Sequence, residues 1–292
     1  MNAGLDFDPT APLTPSGNLR RRQVVSRIAE SGATLAAAVA VAVLVIVIYA
    51  VTVHGASALS LDFLIKGAPE GIGPAIVGTG LIVLVATVIA APIGILIALY
   101  LSEFAGRRAT AQVRLTLDLL NGVPSILIGL FVFGLLVNHK QQSAFAASVA
   151  LAIIELPMIA RGSQEVLLLV PNSMREAADA LGVSRWRTVL KVILPSALGG
   201  ILTATVLAVA RAAGETAPLI LICSVFDPRF FNGHLNEAIP NIPVTIFQLS
   251  EEGNPEGFAR AWGAGLVLVA FILFASLGAR ALLARSKRKM AS

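Results

Sequence analysis

Six apolar stretches, at 34–53, 74–101, 119–137, 144–159, 192–225 and 261–284, come close to or exceed the roughly 20 residues a helix needs to cross a bilayer. No water reaches the hydrocarbon layer to satisfy open backbone groups, and the stretches lack the alternation of barrel strands, so each is expected to be a helix. The predicted fold class is an all-α, polytopic membrane protein with six transmembrane helices. A hydrophobic share of 56%, a charged share of 13% and a mean hydropathy of +0.83 exclude an ordinary soluble domain.

The basic residues orient the spans. Arg20, Arg21, Arg22 and Arg27, then Arg107, Arg108 and Arg114, fall on one side. So do Arg161, Arg175, Arg185, Arg187 and Lys191, and finally Arg280, Arg285, Lys287, Arg288 and Lys289. The other side holds Lys66, Lys140, Arg229 and Arg260, which leaves Arg211 within the membrane. The positive-inside rule then predicts both termini and the loop around Glu176 in the cytoplasm. A pI near 9.9 and a net charge of +5 do not point to nucleic acid, because the charges flank spans instead of forming one face with interleaved aromatics. Anionic lipid headgroups of the bilayer are the expected partner.

Residues 1–33 are expected to be a disordered cytoplasmic tail, with Pro9, Pro12 and Pro15 near its start. The arginine triplet before the first apolar run superficially resembles a twin-arginine signal, but the run is longer than a signal core and further spans follow, so an uncleaved span at 34–53 is expected. Residues 74–284 form the transmembrane domain and 285–292 a basic tail. Pro92 falls inside the second span. The run at 192–225 is too long for one straight crossing and holds the breaker Ala213-Gly214-Glu215-Thr216-Ala217-Pro218, so the helix should bend or stop there. Residues 226–260 read as a loop with one ordered patch at 238–249. Cys223 is the single cysteine, lipid-facing or packed, so neither an internal disulfide nor a thiolate metal cluster can form, and no cofactor is expected.

The polar loop at 172–195 carries the clearest motif. Ser173-Met174-Arg175-Glu176 fits a capping box, which predicts a helix start, and Gly182 can take the left-handed conformation that ends the helix after Leu181. Ser184 is placed to cap a second helix that carries Trp186 and continues to Pro195. Physics alone leaves two readings of the pair. Its alanine surface permits close docking in a partner's cleft, and its Trp186, Arg185 and Arg187 equally suit a hairpin lying on headgroups.

Three ionisable residues fall within apolar runs, where such groups are costly: Glu155, Arg211 and Glu215. Arg211 and Glu215, four apart, share a helix face and are expected either to line a translocation pathway or to neutralise each other. An arginine fork suits an oxyanion without telling phosphate from sulfate. Glu155, beside Pro157, is expected to contact backbone groups that the proline frees, or to pair with Arg161.

The loop resembles the cytoplasmic EAA loop of permease subunits in binding-protein-dependent ABC importers, matching at Glu176, Ala177, Ala178, Gly182, Val192, Leu194 and Pro195. Val192 stands where isoleucine is common. The resemblance implies a type I (MetI-like) importer permease fold and a loop that couples to an ATP-hydrolysing partner. The chain has no Gly-Lys pair, hence no phosphate-cradling loop of its own, and is not expected to be an enzyme.

Arg211-Ala212-Ala213-Gly214-Glu215-Thr216-Ala217-Pro218, Asn121-Gly122-Val123-Pro124-Ser125-Ile126 and Pro74-Ala75-Ile76-Val77-Gly78-Thr79 are similar to PstA-type permeases of phosphate-specific ABC importers. The likeness runs from about Gly71 to Leu283. The sister permease of such systems usually reads Gly-Glu-Thr-Met, so Gly214-Glu215-Thr216-Ala217-Pro218 favours this member of the pair. The resemblance implies a sister permease subunit, a dimer of ATP-binding subunits and an extracytoplasmic phosphate-binding protein.

Overall fold

The computed structural model describes residues 19–137, 141–224 and 234–291. The expected tail at 1–18, together with Lys140 and Arg229, lies outside the described residues. The chain divides into two units, one up to Ala50 and one from Val51 onward.

The first unit consists of most of α1 (Leu19–Ala56). Residues 19–33, expected in a disordered tail, are helical. The prolines end at Pro15, and the arginines, glutamine and alanines that follow favour helix. The apolar side chains of α1, among them Val39, Leu44 and Ile46, are exposed, as suits a helix whose surroundings are themselves apolar.

In the second unit the end of α1 is followed by a short α2 (Leu61–Ile65), beyond which Lys66 pairs with Asp62 at 3.1 Å and Glu70 at 2.6 Å. Next come α3 (Gly73–Leu99), closed by a wide π-turn at Tyr100–Phe104, then α4 (Arg107–Gly122) and α5 (Ser125–Val132), closed by another at Phe133–Val137. α6 (Ala144–Leu168) leads through a tight turn to α7 (Asn172–Ala180). α8 (Arg185–Thr188) passes through a π-turn at Val189–Ile193 into α9 (Leu194–Ala213). α10 (Ala217–Ile222), α11 (Ile242–Glu251) and α12 (Pro255–Ala291) complete it.

Among the described residues five helices are long and apolar enough to cross a membrane: Arg21–Ala56, Gly73–Phe104, Ala144–Leu168, Arg185–Ala213 and Pro255–Gly278. A sixth crossing results if Arg107–Gly122 and Ser125–Val137 count as one span bent by 95°. The expected span at 119–137 is therefore broken into parts of two helices that meet at this bend. Pro124 drives the preceding Val123 to an extended conformation, and the chain turns sharply there. The last long helix also starts earlier than expected, at Pro255, because proline suits the first helical turn and the Asn254 side chain accepts from the Gly257 amide at 2.6 Å.

α6 is the central rod. Ala86, Ala90, Gly94 and Ala98, each four residues on from the last, face inward along α3, and a Cβ on Gly94 would sit 2.9 Å from Ile159 Cγ2 of α6. On the other side Gly162 of α6 faces Ala204, and Gly200 of α9 lies against the Val166 side chain. Small residues let helix backbones approach closely, which is how helices associate where burial from water supplies no drive.

At the far end of the bundle the Asn241 side chain accepts from the Val244 amide and donates to the Cys223 carbonyl, each at 3.1 Å. The Ile242 amide donates to Thr79 Oγ1 at 2.8 Å, and Gly78 passes beneath the Pro240 carbonyl with no room for a Cβ. Cys223 is buried there, its sulfur bonded to the Ile239 backbone. The expected ordered patch at 238–249 is thus largely the helix α11.

Candidate functional site

α7 begins at Asn172, with Pro171 as its N-cap and no side-chain capping bond. The expected capping box at Ser173 and Glu176 does not form, because Pro171 starts the helix earlier and puts Ser173 inside its first turn. The Glu176 carboxylate has no partner among the described residues. The other end is as expected: Gly182 has φ +70°, its amide bonds the Asp179 carbonyl at 3.0 Å, and the Val183 amide bonds the Ala178 carbonyl at 3.0 Å. This double bond pattern closes a helix on a left-handed residue.

Of the residues singled out in the loop, Ala178 is buried, whereas Glu176, Ala177 and Gly182 are exposed. Beside them lies a groove of about 720 Å³, lined by Met174, Ala177, Ala178, Leu181 and Val183, with Arg187 and Lys191 at its edge. Leu181 protrudes, 82% exposed. Ser184 precedes α8 but makes no side-chain cap, and no separate helix ends at Pro195. A nearly continuous rod runs from Arg185 to Ala213 instead, because the wide turn lets the Leu194 amide bond Val189 in place of the usual partner just ahead of the proline.

What the motif reading missed is the anchor of α7. Arg175 forms an ion pair with Glu103 in the π-turn after α3, Nη2 to Oε1 at 2.7 Å, and both side chains are largely withdrawn from solvent. Its Nε donates to both Glu103 oxygens at 3.2 and 3.3 Å. Nη1 donates to the Val170 carbonyl at 2.7 Å and to Asn172 Oδ1 at 3.2 Å, and Nη2 also donates to the Leu167 carbonyl at 3.1 Å. Every N–H of the guanidinium is therefore used. An acidic residue directly after an apolar run, on the side where basic residues dominate, was the available signal.

Within the apolar region Arg211 and Glu215 are brought together, Nε to Oε1 at 3.6 Å, although α9 ends between them at Ala213. Arg211 is about half exposed, and its Nη1 lies 3.7 Å from Met158 Sδ on α6. Glu155 is fully buried. It contacts neither Arg161, which pairs with Asp118 at 3.3 Å, nor backbone freed by Pro157. Its Oε1 accepts from Thr87 Oγ1 at 3.4 Å and its Oε2 has no partner among the described residues. The expectation fails because α6 is unbroken at Pro157 and turns Glu155 toward α3, away from Arg161. Among the described residues no group of three or more His, Cys, Asp and Glu side chains is arranged to hold a metal ion.

The chain is thus a bundle of small-residue-packed helices suited to a membrane, with a short exposed helix clamped at one end. The chain belongs to the family of binding-protein-dependent transport system inner membrane components, whose model matches residues 90–290. It is 38% identical over 276 residues to the phosphate transport system permease protein PstA of Xylella fastidiosa (strain Temecula1 / ATCC 700964), covering 92% of this chain and 96% of that protein. To the protein of the same name from Yersinia pestis it is 36% identical over 247 residues, covering 82% and 83%. The expected resemblance to PstA-type permeases is borne out.

The fold is shared with a bacterial ABC transporter involved in the import of the acidic polysaccharide alginate, at TM-score 0.62 and 16% identity over 89% of this chain and 98% of that one. It is shared also with the MetNI methionine ABC transporter in an inward-facing conformation, at TM-score 0.54 and 22% identity over 73% and 94%. The importer permease fold is thus as expected.

Proposed function

We propose that this chain is the transmembrane permease subunit of an ATP-driven inorganic phosphate importer. In this reading it forms the translocation pathway with a sister permease and is driven by a separate dimer of ATP-binding subunits. An extracytoplasmic phosphate-binding protein delivers the solute. One observation carries the proposal: kinship to phosphate transport permeases spans 92% of the chain, including the exposed helix that bears Glu176, Ala177 and Ala178.

The chain lies in the bacterial inner membrane, and the basic residues at 20–27, 107–114, 161–191 and 280–289 support a cytoplasmic position for both termini and α7. Ala177 and the exposed turn at Gly182 offer a closely approachable surface to the ATPase. Closure of the nucleotide-binding dimer displaces α7, and the spans rock between inward and outward openings. Arg211 and Glu215 line the path. Glu215 holds the guanidinium loosely, at a distance longer than a hydrogen bond, so a passing oxyanion can take over its donors.

The test is uptake of labelled phosphate by the four-component complex in liposomes, with sulfate and molybdate as competitors. Uptake that needs ATP and resists both competitors is expected. Uptake that runs on an ion gradient without ATP would refute the reading. Within it, Arg211→Ala should lower uptake at least tenfold while the complex still assembles, and unchanged uptake would remove Arg211 from the path.

A further inference from the structure

We infer that the Glu103–Arg175 pair is the joint that passes the displacement of α7 to α3, so that α3 and α6 move with it as one body. The inference rests on the transporter reading and concerns how force travels, not which solute moves.

α7 leaves α6 through the short turn at 169–171, so a pull on it reaches α6 through the covalent chain in any case. Nothing covalent links α7 to α3, whose polar tie to α7 is Glu103. An apolar contact such as Met174 against the cluster of Leu99, Leu167 and Ile193 resists separation but lets surfaces slide. The guanidinium does not slide. It is planar, and its donors are divided between the Glu103 carboxylate, one carbonyl in the last turn of α6, one in the turn that follows it, and the first residue of α7. Three elements therefore meet on one rigid group, and shearing any of them strains bonds to the other two.

Among the described residues Glu103 has no other charged partner; it is 3% exposed and sits in a widened turn of the kind that helices often carry at functional positions. Beyond the joint, the close-packed contact along Ala90, Gly94 and Ala98 keeps α3 and α6 in step through the membrane.

Arg175 and Glu103 are positioning residues, so the test needs a readout that ordinary loss of fold does not move: phosphate transported per ATP hydrolysed. The variants are Glu103→Gln, which keeps shape and volume, Arg175→Met and Arg175→Lys, each in the reconstituted complex. Glu103→Gln and Arg175→Met should co-purify the normal amount of ATPase subunit and hydrolyse ATP within about twofold of the unaltered complex. Phosphate moved per ATP should fall at least tenfold. Arg175→Lys keeps the charge opposite Glu103 and loses the forked geometry, so it should fall between.

Transport and hydrolysis falling in proportion would overturn the inference, as would no change in their ratio. Failure of Glu103→Gln to assemble would overturn it too, because the pair would then be a fold contact. Failure of the transporter reading looks different: the unaltered complex would show no ATP-dependent phosphate uptake.

Discussion

Replacing Gly182 by alanine should loosen the last turn of α7 and little else. A Cβ built at this position meets nothing within 4 Å, so no neighbour has to move and the cost lies entirely in the backbone. At φ +70° an L-residue with a Cβ is disfavoured by about 1–2 kcal/mol. Part of that is offset, because alanine also has less freedom in the opened turn, by about 0.4–1 kcal/mol. The net is about 1 kcal/mol, a roughly fivefold rise in the open population. The amides that report it are those of Gly182 and Val183, which donate to Asp179 and Ala178. Hydrogen exchange followed by mass spectrometry on the assembled permease should show their protection falling about fivefold in Gly182→Ala and less in Gly182→Asn, since asparagine tolerates the left-handed region. A β-branched Gly182→Val should fall furthest, with transport following the same order. Equal protection in all variants, or an asparagine variant as damaged as the valine one, would refute the reasoning.

Two further outcomes are expected. Glu155→Gln should leave uptake within about twofold and the melting temperature unchanged or higher, because the acid makes one long bond to Thr87 and its other oxygen has no partner among the described residues. A collapse of uptake at normal assembly would give that carboxyl a chemical role. Gly78→Ala should push the Pro240 carbonyl away and break the bond from the Ile242 amide to Thr79, at a cost of about 1–3 kcal/mol for the stranded buried group. A clear drop in the melting temperature of the detergent-solubilised protein checks it, and an unchanged melt would contradict the packing of that end.

The spans were legible because burial in lipid demands long apolar runs whatever the tertiary arrangement, and the breaker after Ala213 was legible because Gly214 and Pro218 act locally. The size of the turn at Val123 and Pro124 was not: a proline inside an apolar run signals a break, but a bend of 95° is not distinguished from a mild kink by the local pattern. The start of α7 was misread for a related reason. Pro171 and the capping box compete for the same first turn, and local pattern does not rank them.

The site divides in the same way. Arg211 with Glu215 and the end of α7 at Gly182 depend on near neighbours in sequence and could be read. Glu103 and Arg175 are 72 residues apart, and their meeting depends on how α3 and α6 pack, which no local spacing encodes.

The widened turn at Val189–Ile193 has a consequence for where Arg211 points. Each residue advances a helix by about 100°, so a turn carrying one surplus residue sets everything beyond it at a different azimuth from everything before it. Arg187, beside the exposed groove, belongs to the near side of that offset, and Arg211 to the far side. The rod is thus keyed like a camshaft. Its two ends are clocked against each other by a single surplus residue, and trimming that residue would swing the arginine to another compass bearing without shortening the helix by more than a fraction of a turn.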